Sequence, residues 1–307
     1  MKILIVGSGG QLARALREVT HTRCVQVVTL GRPIIDLTEP ATISTCLARE
    51  RFDIVVNTAA FTHVDRAEAE PDAAFALNTE GAAAIASACE TQRLPLIHIS
   101  TDYVFGGGKT TPFAEGDIPA PLSVYGRSKL AGERRVAELC SNYIIVRTSW
   151  LHSPFGTNFI KTILRLAESK HEIAVVDDQV GSPTSAFHLA DALLRIAAQV
   201  LQDSTCSYAG IYHVAGDGTA SRSALAEEVL LCSKLIGGPH ARVRSISSAD
   251  YRAAALRPSN SALDCSNLEQ GFGIKLPRWE AGVRLSVSRL LAERHVPAGR
   301  TRTERAS

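Results

Sequence analysis

Little in this chain points to a metal, a membrane or a nucleic acid. Its seven cysteines (Cys24, Cys46, Cys89, Cys140, Cys206, Cys232 and Cys265) are scattered. Without a Cys-x-x-Cys or Cys/His spacing, neither structural zinc nor a disulfide framework is expected, and reduced thiols are the plain reading. No apolar run approaches the ~20 residues of a membrane helix. The formal net charge of +2 makes too weak a field to gather nucleic acid or a membrane surface. The first apolar run is cut by Gly7, so the N-terminus reads as a strand rather than a secretory leader. A cytoplasmic protein without a metal site is the expectation. Repeats and low-complexity tracts are missing as well.

What is present suits a globular protein: 307 residues, 45% apolar and 21% charged, enough for one large domain or two smaller ones. Lys2-Ile3-Leu4-Ile5-Val6 is a continuous apolar run, as in a strand covered on both faces. Gly7-Ser8-Gly9-Gly10-Gln11-Leu12-Ala13 follows, and then a helical pattern through Val19. Gly7 permits a tight turn, Gly9 and Gly10 let backbone approach a pyrophosphate, and Ala13 lets the helix pack closely. The helix N-terminus then offers free N–H groups and the positive end of its dipole. The next strand, Val25–Leu30, ends in Gly31-Arg32. NAD-selective sites carry an acid there for the ribose 2′-hydroxyl, whereas an arginine meets a 2′-phosphate. Arg32 therefore favours NADPH, with NADH as the alternative if its side chain only meets solvent. Ile34–Thr38 is a candidate for the adenine edge.

Strand and helix signals then alternate. Strands are read at Phe52–Asn57, Pro95–Ser100 and Tyr143–Arg147, and helices at Pro71–Glu90 and Ser128–Cys140. Repeated β-α units imply an α/β protein, a doubly wound, Rossmann-like parallel sheet with a smaller substrate-binding lobe. Residues 1–149, 175–206 and 257–275 are assigned to the dinucleotide domain. Residues 150–174, 207–256 and 276–297 are assigned to the lobe, and 298–307 to a disordered tail.

Ligands of such sheets bind beyond the carboxyl ends of the strands. Gly7, Asn57–Ala60 and Ser100-Thr101-Asp102 should converge there. Tyr125 and Lys129 stand four residues apart, which places both on one helix face. An ammonium beside a phenol stabilises phenolate and eases proton transfer, where a free tyrosine with pKa of about 10 is a poor acid–base group. Thr101 would meet the substrate oxygen that Tyr125 protonates, although Ser100 and Thr101 could equally just end a strand. Asn78, placed mid-helix where asparagine is disfavoured, should hold a water or a backbone group near the site.

With GSGGQLA at 7–13, DLTEP at 36–40, NTAAFTHVDRAE at 57–68, STDYVFGG at 100–107, PLSVYGRSKLAGE at 121–133, RTSW at 147–150, DDQVGSPTSA at 177–186, GIYHVAGDG at 210–218 and RPSNSALD at 257–264, the chain resembles the extended short-chain dehydrogenase/reductases. Within them it is similar to the dTDP-4-dehydrorhamnose reductase family. The resemblance implies NADPH-dependent reduction of the C4 keto group of a dTDP-linked 4-keto-6-deoxyhexose, dTDP-4-dehydro-L-rhamnose. Thr101, Tyr125 and Lys129 would be catalytic. Gly7, Gly10, Gln11, Leu12, Asp36, Leu37, Ala59, Ala60 and Thr62 would contact cofactor, together with Arg32. Asp102, Tyr103, Phe105, Trp150 and Asn158 would line the sugar pocket. Trp150 would stack on the sugar unless it is a core residue, and Arg257 would hold the diphosphate unless it forms a plain salt bridge. Gln179 and Val180 would close over the site.

The chain departs from that pattern in places. Phe61 replaces the family's common Tyr, Ser221–Leu225 lacks the usual Ser-Trp aromatic run, and Arg252–Leu256 lacks Pro-Thr-Pro. These departures put the exact sugar in question. Ala15 stands where some members carry an acid tied to a magnesium-linked dimer, which favours a monomer or weak homodimer without metal. A dehydratase or epimerase on the same fold is a rival, but Tyr103 replaces its Glu. A non-catalytic cofactor-binding regulatory subunit is another rival, opposed by the retained Thr101, Tyr125 and Lys129.

Overall fold

The computed structural model describes residues 1–21, 25–203, 207–251 and 253–295. Cys24, Cys206, Arg252 and the 298–307 tail lie outside them. Along the chain, β1 (Lys2–Val6), α1 (Gln11–Thr20), β2 (Gln26–Leu30), α2 (Pro40–Arg49), β3 (Ile54–Asn57), α3 (Gly81–Gln92), β4 (Leu96–Thr101), α4 (Val124–Leu139) and β5 (Tyr143–Thr148) form the first part. Then come α5 (Phe159–Ala167), β6 (Glu172–Val176), α6 (Ala186–Gln202), β7 (Gly210–His213), α7 (Arg222–Leu235), β8 (Arg242–Ile246) and α8 (Trp279–His295).

The main sheet has the order β7-β5-β4-β3-β1-β2, with every pairing parallel. Its strands are apolar on both sides because both faces are covered. In β1, Ile3 and Ile5 join a core beneath α1 and α6, while Leu4 and Val6 join a second core beneath α2 and α3. Strand order reverses between β1 and β3, the place where a crevice opens in such sheets. A third core holds Ile163, Ile173, Leu225, Val229, Val283 and Val287, and joins α5, α7 and α8 to the β6–β8 pair. This is the lobe.

Two domain boundaries differ from expectation. Gly210–His213, assigned to the lobe, is the edge strand of the main sheet, in parallel register with Ile144–Arg147. Val175 and Val176, assigned to the dinucleotide domain, complete the lobe strand β6. Both segments are short and apolar, so only their pairing partners decide which sheet they join. The expected Pro71–Glu90 helix is interrupted by a π-helical turn over Ala76–Glu80. Such turns recur at functional sites. Ala15 is fully buried in the core under α1.

Candidate active site

The glycine turn is built for close backbone approach. Gly7 has φ +102°, and a Cβ there would sit 2.8 Å from Thr58 Oγ1 and 3.0 Å from Ala59 N. A Cβ at Gly9 or Gly10 would meet no atom within 4 Å. The N-terminus of α1 has no side-chain cap. Its free N–H groups and the open ground before them fit a pyrophosphate. Leu12 is buried beneath the turn, while Gln11 Oε1 accepts from Ser153 Oγ and Asn158 Nδ2, 2.8 Å each. Gly31 packs on Ser8, which places exposed Arg32 beside the turn. Asp36 is held below the usual carboxylate value by hydrogen bonds from Thr38, with a smaller contribution from the Arg32 charge. Leu37 is buried against Gly81. Ala59 and Ala60 are half-buried after β3 and Thr62 is exposed. The residues expected to meet cofactor thus follow the carboxyl ends of β1, β2 and β3.

The three residues expected to be catalytic come from β4 and α4. Ser123 caps α4 by accepting from Gly126 N, so Tyr125 lies in the first turn, one turn earlier than the sequence suggested. Gly126 is required because its Cβ would come within 2.2 Å of Tyr103 O. That contact presses α4 onto the turn after β4. Thr101 Oγ1 donates to Asp102 Oδ1 at 3.0 Å, accepts from Tyr103 N at 3.2 Å, and lies close enough to the Tyr125 hydroxyl to favour its ionised form. Burial raises the Tyr125 phenol above the ordinary value, and Thr101 offsets this only in part. The expected acidification is therefore not what these side chains produce. Burial instead keeps the phenol protonated, the form a proton donor needs. Lys129 is fully buried, and burial lowers its pKa to about 8, against the opposing pull of Glu133. Asn78, in the π turn, grips the Phe61 backbone at both N and O and donates to Ser128 Oγ at 2.9 Å, fixing the Phe61 loop to α4.

Among the residues expected to meet substrate, Asp102 is buried, accepts from Ser149 Oγ at 2.8 Å, and is raised above the usual carboxylate value by that burial. The Tyr103 ring meets Tyr125 edge-on, 6.0 Å between centroids. Trp150 has φ +44°, strained for a side chain with a Cβ. Gly181 packs so tightly on its indole that a Cβ would lie 2.3 Å from Cε2. The Arg222 guanidinium lies 3.5 Å from the centroid of the ring. The expected stacking surface is thus covered by a cation. Arg222 also lies within electrostatic reach of Tyr103 and Asp102. Sequence reasoning missed Arg222. Its only trace was an arginine in Ser221–Leu225, where an aromatic run was expected.

Three expected pocket residues are placed differently or otherwise engaged. Phe105 is fully buried and stacks on Phe113 at 4.4 Å, because the 3-10 turn after β4 points it into the core. Asn158 caps α5, and its amide donates to Gln11 and Ser153 while its oxygen accepts from Lys161 N. Arg257 pairs with Asp65 at 2.7 Å, although Tyr103 also acts on its charge. Val180 N donates to Ser259 O and Gln179 O accepts from Arg222 N, so this loop ties Arg222 to the RP segment.

No helix among the described residues is long and apolar enough to cross a membrane. The model of the family described as RmlD substrate binding domain matches residues 1–292. A dTDP-4-dehydrorhamnose reductase from Sinorhizobium fredii (strain NBRC 101917 / NGR234) is 45% identical over 293 residues, 95% of this chain and 99% of its own. The Escherichia coli (strain K12) protein of that name is 38% identical, with 94% and 98% covered. A solved dTDP-4-dehydrorhamnose reductase from Bacillus anthracis str. Ames, in complex with NADP, superposes with a TM-score of 0.86 at 34% identity, covering 95% of this chain and 99% of that one. A Clostridium acetobutylicum ATCC 824 structure gives 0.88 at 32% identity, with 95% and 100% covered.

Proposed function

The chain belongs to the family described as RmlD substrate binding domain, and on that premise we propose that it reduces the C4 keto group of dTDP-4-dehydro-L-rhamnose to give dTDP-L-rhamnose with NADPH. The relatives named above carry this activity in their names, and one was solved with NADP. The single observation that supports the chemistry is a Tyr125 phenol within reach of Thr101, with Lys129 buried one turn further along the same helix. Bound NADPH supplies the hydride. As charge grows on the carbonyl oxygen, Tyr125 donates its proton and Thr101 holds the oxygen in line. The Lys129 ammonium, on the same face of α4, stabilises the phenolate that remains. Asp102, which accepts from Thr101 and Ser149, fixes the rotamer of Thr101.

The test offers the purified chain dTDP-4-keto-6-deoxyhexose isomers, follows loss of nicotinamide absorbance and identifies the product by NMR. Turnover of no isomer overturns the reading. Turnover of another isomer in preference moves the proposal to a related sugar, which the departures at Phe61 and Ser221–Leu225 allow.

Two variants refine it. Arg222→Ala removes the guanidinium beside Tyr103 and Asp102. It is expected to raise KM for the nucleotide sugar by roughly ten- to a hundredfold, the worth of one hydrogen bond to a charged group, with KM for NADPH unchanged. An unchanged sugar KM would make Arg222 a packing residue only. Arg32→Ala is expected to lower the NADPH-to-NADH ratio of kcat/KM by roughly tenfold. If the ratio holds, Arg32 does not read the 2′-phosphate.

A further inference from the structure

We propose that Asn57 and His98 form a hydrogen-bond wire of fixed direction that presents an N–H to Lys129, so that the lysine readily gives up a proton and restores Tyr125 after each turnover. The proposal rests on the reductase reading of Tyr125 and Lys129. Asn57 ends β3 and His98 lies opposite it in β4, in parallel register. The wire starts at a backbone group whose role is invariant. Ala59 N–H donates to Asn57 Oδ1 at 3.1 Å. Asn57 Nδ2 must then donate to its other neighbour, His98 Nδ1, at 3.2 Å. An Nδ1 that accepts carries no proton. Burial holds His98 well below its ordinary pKa, so the ring is neutral and its single proton is on Nε2.

That Nε2–H faces Lys129 Nζ at 3.3 Å. Lys129 in turn donates to Ile99 O at 2.6 Å. An ammonium has no lone pair, so His98 finds an acceptor only in the neutral amine. Turning the Asn57 amide over would set its NH2 against Ala59 N–H, and turning the ring tautomer would set Nδ1–H against Asn57 NH2. Every arrangement with a charged Lys129 leaves one pair of donors facing each other. Asn57, His98 and Lys129 are each 1% exposed, so bulk water does not relieve that contact.

Other charges around Lys129 do not cancel the effect. Glu133, one turn on along α4, favours the ammonium, but its carboxylate is engaged by Arg147 from β5 and by Ser100 from β4. Asp102, in the turn after β4, is itself shifted toward its neutral form. Tyr125, on the same helix, is held as phenol.

The proton count closes. The Tyr125 O–H bond breaks and its proton goes to the product oxygen. A Lys129 N–H bond breaks and its proton goes to the phenolate oxygen. The neutral Lys129 amine then accepts the His98 Nε2–H bond, and solvent later returns its proton. No electrons move in these steps.

NMR on the full chain with 15N-labelled histidine and 13C-labelled lysine tests this. His98 is expected as the Nε2–H tautomer, and Lys129 is expected to titrate well below the ordinary lysine value of about 10.4. In Asn57→Asp a carboxylate accepts from Nδ1–H, so the tautomer should switch. Lys129 titration, and with it the basic limb of the reduction rate, should rise by at least about one pH unit, a tenfold gain in proton affinity. In His98→Gln the amide oxygen accepts from Asn57 and its N–H still meets Lys129, so the basic limb should stay at its wild-type position. An Nδ1–H tautomer in the wild type, or a Lys129 titrating at the ordinary value, overturns the wire without any variant needing to fold. The NMR readings need no substrate. A chain that shows the wire yet reduces none of the keto sugars overturns the function instead.

Discussion

Tyr125→Phe is expected to cut kcat for the keto sugar by roughly 10²–10⁴-fold, the usual worth of a positioned general acid. The variant removes one oxygen from a ring that keeps its edge-on contact with Tyr103. Thr101 Oγ1 still donates to Asp102 and accepts from Tyr103 N, so the turn after β4 keeps its shape. Affinity for NADPH should therefore stay within about twofold, a change of under ~0.5 kcal/mol. Burial keeps the wild-type phenol protonated across the working pH range, so the oxygen lost is a loaded proton donor. Steady-state rates together with cofactor titration by fluorescence check both halves. A variant with more than a tenth of wild-type kcat would remove Tyr125 from the chemistry.

The elements that declared themselves in the sequence are those written in local patterns. Lys2–Val6 with Gly7 reads as strand and turn because both signals fall within a few residues, and the structure gives Gly7 the positive φ that the turn needs. Tyr125 and Lys129 read as a pair from helical spacing taken together with the upstream glycine turn, and the structure puts both on α4. What stayed hidden depends on partners far along the chain. Trp150 reads as a platform for sugar until Arg222, 72 residues later, is found over its ring. Phe105 is a pocket residue only by the family resemblance of STDYVFGG. A 3-10 turn reverses the alternation there and sends it to Phe113. Asn57 and His98 carry no motif that joins them, and only the β3–β4 register brings them face to face. Gly210–His213 is too short to show by pattern which sheet it completes.

Arg147→Met is expected to cost about 3–5 kcal/mol of stability, read as a lower urea midpoint. Arg147 and Glu133 are 2% and 3% exposed, with Arg147 Nη2 2.6 Å from Glu133 Oε2 and Nε 3.0 Å from Oε1. Methionine fills much of the stem volume beside Phe105 but leaves a carboxylate with only Ser100 for a partner. The loss is chiefly the cost of that stranded charge rather than the strength of the pair. Glu133→Leu added to Arg147→Met should therefore recover most of the stability, whereas two independent packing defects would add. The pair also reaches the chemistry. Glu133 lies one turn beyond Lys129 and raises its proton affinity, and the same carboxylate is paired with Arg147. In the single variant the bare carboxylate should carry the basic limb of the reduction rate to higher pH, and in the double variant the limb should fall back to the wild-type position or below. A limb that ignores both changes would mean that the ion pair serves the fold alone, and that burial and the His98 contact set the Lys129 proton without it.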